Sequence, residues 1–123
     1  MSNDENAQNA ADIVAAQWQV FLGGAEGLVD PAMARAAYAQ PRLRVLFPGV
    51  SHGVMFFSRC TGLPAAHVGG QVYPLADGRF RVRGPLGVGT LGVVVTPEEA
   101  FALVVTALSE DCGPAIDGTA LDL

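Results

Sequence analysis

Lysine is missing from this 123-residue chain, so its basic side chains are all arginines: Arg35, Arg42, Arg44, Arg59, Arg79, Arg81 and Arg83. No apolar run reaches the ~18 residues that a membrane-crossing helix needs, and no membrane partner is expected. Two cysteines, Cys60 and Cys112, are too few for a disulfide framework in a chain of this size. The opening residues 1–7 are polar and acidic, with no basic stretch followed by an apolar one. A signal peptide is therefore not expected, and a cytoplasmic setting is. The two histidines, His52 and His67, come without HxxxH or CxxC spacing and without a nearby cluster of acids, so no metal site is expected. The glycine-rich run GPLGVG at 84–89 lacks a following Lys-Ser/Thr and leads toward a strand. It reads as a turn or bulged connection, and no phosphate loop or other cofactor motif stands elsewhere.

Half of the residues are apolar and the mean hydropathy is +0.34, enough for one well-filled domain over residues 1–123. The net charge of −5 argues against non-specific binding to nucleic acid. Its distribution is uneven. The first thirty residues carry five acids and no base, the stretch from Glu98 onward carries six acids and no base, and Asp77 is the sole acid between Arg35 and Arg83. The plainer expectation is that acidic terminal helices lie over the arginines and pair with them. The sharper one is a carboxylate or anion site in the middle segment, because guanidinium groups suit bidentate contacts.

Residues 9–24 read as an amphipathic helix, with Val14, Trp18, Phe21 and Leu22 at three- and four-residue spacing. Asp30-Pro31 opens a second helix to about Ala39. Pro41 restarts it, and 42–47 is expected to add a helical turn or two, ended by Pro48-Gly49. Residues 51–60 (SHGVMFFSRC) fit a buried strand, 61–70 a loop, and 71–75 and 79–84 two strands around the turn Ala76-Asp77-Gly78. Residues 91–96 are a valine-rich last strand, Thr96-Pro97-Glu98-Glu99 opens a final helix, and the last nine residues read as a loose tail. The expected fold is α+β: N-terminal helices, an antiparallel sheet of about four strands, and a C-terminal helix over one face.

A period of two places Arg79, Arg81 and Arg83 on one sheet face and Phe80 and Val82 on the other. Phe56 and Phe57 likewise point to opposite faces. If helices cover one face, the other aromatic needs a ligand or a second copy, so a homodimer is expected. Cys60 and His52 are separated by eight residues, roughly 26 Å along a straight strand, which makes a Cys–His dyad a poor reading and a buried Cys60 the better one. His52, at the mouth of a strand, is placed for a general base or a hydrogen bond to substrate, while the plainer reading of it is structural.

The run after Tyr38, "AQPRLRVLFPGVSHGVMFFSRCTG", together with "DGRFRVRGP", "TPEEAFALVV" and "CGPAIDGTALDL", resembles a family of small actinobacterial proteins of natural product biosynthesis that carry an uncharacterised-domain label. These segments span roughly two-thirds of the chain. Residues 63–70 (LPAAHVGG) depart from the Trp- and Pro-containing loop of many relatives, which implies a ligand or partner different from the typical member's. The resemblance extends to the lysinoalanine-forming proteins of cinnamycin- and duramycin-type lanthipeptide clusters. It implies addition of a peptide lysine amine to a dehydroalanine, without a cofactor, chiefly by substrate positioning. It also implies that the modified peptide supplies the base through a hydroxylated aspartate. On that reading residue chemistry assigns His52 as the catalytic proton relay and Phe56, Phe57 and Tyr73 to a peptide groove. Arg59, Arg81 or Arg83 would hold a carboxylate or the enolate oxygen, and Ser51 joins the substrate-binding set. The alternative is a non-catalytic accessory or immunity protein that binds a peptide or natural product. A cysteine-dependent hydrolase built on Cys60 ranks last.

Overall fold

Two of the α-helices begin at a residue whose side chain caps them. A computed structural model of the chain describes residues 3–85 and 87–123, except the side chain of Asn3. Helix α1 (Asn3–Leu22) runs into a left-handed Gly24 and a 3-10 turn at Ala25–Gly27. Helix α2 (Pro31–Tyr38) follows the Asp30 cap, whose carboxylate accepts from the Ala32 N–H at 2.9 Å. Helix α3 is a single turn, Pro41–Arg44. Helix α4 (Pro97–Thr106) is capped by Thr96, whose hydroxyl oxygen accepts from the Glu99 N–H at 3.2 Å and donates to the Glu99 carboxylate at 2.9 Å.

Between α3 and α4 lies an antiparallel meander of five strands in sequence order: β1 (Phe47–Ser51), β2 (Val54–Ser58), β3 (His67–Pro74), β4 (Phe80–Arg83) and β5 (Thr90–Val94). The fold is α+β, as expected, with one strand more than the sequence reading gave. The helical expectation for 42–47 and the single strand for 51–60 are both corrected. The helix stops at Arg44, Phe47 already begins a strand, and the chain reverses at His52-Gly53. Both turn residues have positive φ, 53° and 81°, the geometry of a two-residue hairpin whose twist matches its strands. Pro48 is tolerated because β1 is an edge strand.

One face of the sheet carries Met55, Phe57, Val72, Phe80 and Val82, all buried. Helix α4 packs over β3 to β5, and α1 packs on β1 and α2. Trp18 is the centre of this core, with ring centroids 6.2 Å from Phe57, 6.3 Å from Phe21 and 5.4 Å from Tyr38. It also closes the outer edge of the sheet. Its indole N–H donates to the Leu46 carbonyl at 3.2 Å, and Gln17 Nε2 donates to the Pro48 carbonyl at 3.3 Å. The outward carbonyls of Leu46 and Pro48 are thereby occupied.

The last nine residues are not a loose tail. Ala115 is buried and its N–H donates to the Val45 carbonyl at 2.9 Å. Ile116 forms a parallel bridge beside Cys60, its N–H donating to Arg59 O at 2.9 Å and its carbonyl accepting from Thr61 N–H at 3.0 Å. Asp117 exchanges main-chain contacts with the Asn6 side chain of α1 and accepts from the Thr61 hydroxyl at 2.9 Å. The segment is held by backbone pairing and polar contacts, which leave no periodic apolar signature to read. The expected pairing of acidic helices with the arginines is also overturned. Among the described residues one ion pair forms, Arg79 with Asp77 at 2.7 Å, within a turn. Arg42 and Arg44 instead donate to the carbonyls of Ser109 and Tyr38.

Candidate functional site

The sheet face turned away from the helices is open. Phe56, Gln71, Tyr73, Arg81 and Arg83 share it by strand alternation and register. Phe56 lies across Gly49, its register partner on β1; a Cβ on Gly49 would stand 2.3 Å from the Phe56 ring. His67, at the start of β3, sets its imidazole 4.8 Å from the Phe56 ring. Tyr73 donates its hydroxyl to the Gln71 side-chain oxygen at 2.9 Å. Gly69 and Gly70 form an irregularity between β2 and β3, and at Gly69 the backbone adopts φ 66° where Val104 of α4 and Leu108 just beyond it press close.

Beside Phe56 these elements enclose a groove of about 500 Å³. Phe56, His67 and Gln71 line it from β2 and β3, and Arg83, Gly84, Pro85, Gly87 and Gly89 complete it. The Gly84 N–H donates to the Gly89 carbonyl at 2.7 Å and draws that loop closed. Leu86 of the GPLGVG run lies outside the described residues; Pro85, Gly87 and Gly89 form the turn the sequence suggests. No Asp or Glu lines the groove among the described residues. Arg81 and Arg83 are exposed and form no ion pair among the described residues, so this face presents an unneutralised cationic strip to an acidic molecule.

Not all the residues singled out from sequence meet at this groove. Phe56 and Arg83 line it, and Tyr73 and Arg81 lie on the same face. Phe57 borders the groove, but its ring is fully buried in the core, in edge contact with Phe101 at 6.1 Å, and is corrected from an open groove wall to a core residue. Of the three alternating arginines, Arg81 and Arg83 lie on the strand. Arg79 precedes β4 and closes on Asp77, its Nε donating to Oδ2 at 2.8 Å. That hydrogen bond holds the Asp77 carboxyl below its ordinary range and raises the Arg79 guanidinium. Arg59 lies beyond the end of β2, half-buried near Gly113, with a buried Nε that has no hydrogen-bond partner.

Ser51 and His52 occupy the exposed tip of the β1–β2 hairpin, Ser51 Oγ 3.2 Å from His52 Nδ1. The tip is four residues from Phe56, about 13 Å along a strand, and the geometry does not bring His52 to the groove. Cys60 lies past the other end of β2, buried beside Ser58, with their side chains 3.5 Å apart. A Cys60–His52 dyad does not form. The groove's histidine is His67, which sequence reading left in a loop. The missed signal is parity: with β3 beginning at 67 instead of 71, His67, Gln71 and Tyr73 fall on one face. Among the described residues, no group of three or more His, Cys, Asp and Glu is placed to hold a metal ion. No described helix is long and apolar enough to cross a membrane.

An antiparallel meander backed by helices on one face, with an arginine-edged groove on the other, defines a small α+β domain. The chain belongs to a family of unknown function, DUF6193, matched over residues 12–119. No curated protein and no solved structure matches it.

Proposed function

We propose that the groove beside Phe56 receives a modified lanthipeptide and holds a lysine amine against a dehydroalanine until a lysinoalanine bridge forms. The observation carrying this reading is the groove's composition: an aromatic floor, one imidazole, one amide and a guanidinium with no ion-pair partner among the described residues. The amine nitrogen attacks the dehydroalanine β-carbon and forms the new C–N bond. The double-bond electron pair moves onto the amide as an enolate, and the α-carbon takes up a proton as the amine loses one. The product is an isomer of the substrate, so no oxidant or cofactor enters.

In this scheme Arg83 is the donor aimed at the enolate oxygen or at a peptide carboxylate. His67 is the group beside the groove that passes a proton, the role residue chemistry first gave to His52. A hydroxylated aspartate of the peptide takes the amine proton, which fits a groove with no carboxylate of its own among the described residues. Holding both groups in contact supplies most of the acceleration. A cytoplasmic setting, where Cys60 and Cys112 stay free thiols, belongs to the same reading. So does a homodimer. Beside the groove, Val20 and Leu28 are exposed around a hollow of about 430 Å³ that Phe56 and Gly49 also line, a surface a second copy would cover.

The test is incubation of the purified protein with a dehydrated, thioether-cyclised, aspartate-hydroxylated lanthipeptide, followed by amine labelling and mass spectrometry. Bridge formation leaves the mass unchanged, so the readout is loss of the labelable lysine and altered fragmentation. Protein-dependent protection is expected. Binding by calorimetry without protection would replace the enzyme with a non-catalytic accessory or immunity protein using the same face.

A further inference from the structure

The two edges of the sheet are treated differently. On β1 the outward carbonyls of Leu46 and Pro48 are taken by Trp18 and Gln17. On β5 no such cover exists. The Leu75 N–H to Arg79 carbonyl bond at 2.9 Å fixes the alternation of the β3–β4 pair, and Tyr73↔Arg81 is the hydrogen-bonded pairing two residues on. The main-chain groups of Phe80 and Val82 then turn toward β5, to Val94 and Gly92. The N–H and C=O of Val93 must therefore point away from the sheet. No turn, loop or side-chain hydrogen bond among the described residues reaches them. The strand sequence, TLGVV, carries none of the charges or prolines that blunt a free edge. Val93 is 42% exposed and the following Val95 66%.

What sits beside this edge selects its occupant. Arg81 is the register partner of Val93, and Arg83 that of Thr90, so both guanidinium groups stand one strand inward on the open face. A strand added outside β5 would lie two strand spacings, about 10 Å, from β4. An arginine and a glutamate side chain together bridge that distance. Positions of the added strand on the opposite face would lie beside Val94 and Leu103, whose Cδ1 would meet a Cβ on Gly92 at 3.2 Å. The complementary pattern is alternation of acidic and apolar residues. Glu98 and Glu99 are exposed in the first turn of α4, past the end of β5, so the acids belong at the Arg81 and Arg83 end of the added strand.

We propose that the free edge of β5 is a strand-addition site for an extended peptide with acidic residues at alternate positions, paired to the main chain of Val93 and to Arg81 and Arg83. The 84–89 loop leads directly into β5, so a peptide on this edge has one end at the groove mouth. The site stands whether or not bond formation occurs in the groove.

The experiment uses the full chain and a capped ten-residue peptide alternating glutamate and valine, with a lysine–valine peptide as control. Fluorescence anisotropy reads affinity, and amide hydrogen exchange reads the Val93 N–H. Binding of the glutamate peptide, with the Val93 amide slowed on binding, is expected. Val93→Pro, which deletes the outward donor at a place where an edge tolerates proline, should weaken it about tenfold or more. Arg81→Glu with Arg83→Glu leaves the edge main chain intact and should exchange the preference for the lysine peptide. It keeps the test decisive should the proline variant fail to fold. Equal binding of the two peptides, or no slowing of the Val93 amide at millimolar peptide, overturns the proposal. A Val93 amide already protected in the free chain, with Val93→Pro turning a dimer into a monomer, also overturns it and gives the edge to a second copy.

Discussion

The ring of Phe56 rests on Gly49, its register partner across the β1–β2 hairpin, at a separation no Cβ could share. This contact sets the floor of the groove and places the ring against His67. Gly49→Ala should drive Phe56 off its seat, with an overpacking cost of about 1–3 kcal/mol. Urea unfolding reads the cost. The chemical shifts of the His67 ring, which lies within the shielding region of Phe56, should move in the same variant. Unchanged histidine shifts would mean the floor is not built this way.

The two histidines separate the groove from the hairpin tip. His67→Ala should slow bridge formation, whereas His52→Ala, at an exposed turn, should leave it unaltered. Arg83→Gln should lower the rate on the order of 10²-fold if its guanidinium faces the developing enolate. A rate that falls for His52→Ala and not for His67→Ala would return the site to the hairpin.

Residues 115–123 are expected to stabilise the whole domain. Asp117→Ala removes the acceptor of the Thr61 hydroxyl and should cost about 1 kcal/mol. Removing 115–123 strips the bridge beside Cys60 and the buried Ala115, and its loss on denaturant unfolding should be several times larger. Equal unfolding midpoints for the intact and shortened chains would show the segment to be an ornament of the surface.

The turn pair Asp77–Arg79 gives a pH signature of known sign. The Asp77 carboxyl is held low in the folded chain by its hydrogen bond to Arg79. Its contribution to stability is therefore present above the unfolded carboxyl value and fades as the pH falls through the folded one. An NMR titration should place Asp77 below an ordinary aspartate, and Arg79→Gln should bring it back up. The stability gap between wild type and Asp77→Asn should close on acidification.

The legible parts of this molecule were those with local chemistry. Asp30-Pro31 and Thr96-Pro97 announce helix starts, and the turn before Arg79 announces a hairpin. Alternation sorted Phe80 and Val82 from Arg81 and Arg83. What stayed hidden depends on contacts distant in sequence. His52 at φ 53° is an uncommon hairpin residue, so 51–60 reads as one strand, and Phe47 to Gly49 read as a helix end and its stop. The tail pairs through main-chain groups that have no sequence signature. His67 joins Phe56 only because two glycines bulge β3 and keep the parity of its residues. Of the residues named from sequence, Phe56, Tyr73, Arg81 and Arg83 share the open face, whereas His52 stands at the hairpin tip, away from the groove.

The most direct measurement is an amide NMR titration of the full chain with the dehydrated, thioether-cyclised and aspartate-hydroxylated peptide. The account predicts that shifts concentrate at Phe56, His67, Gln71, Gly84 and Gly89, around the groove. Shifts confined to Ser51 and His52, or to the helical side around Trp18 and Tyr38, would contradict it.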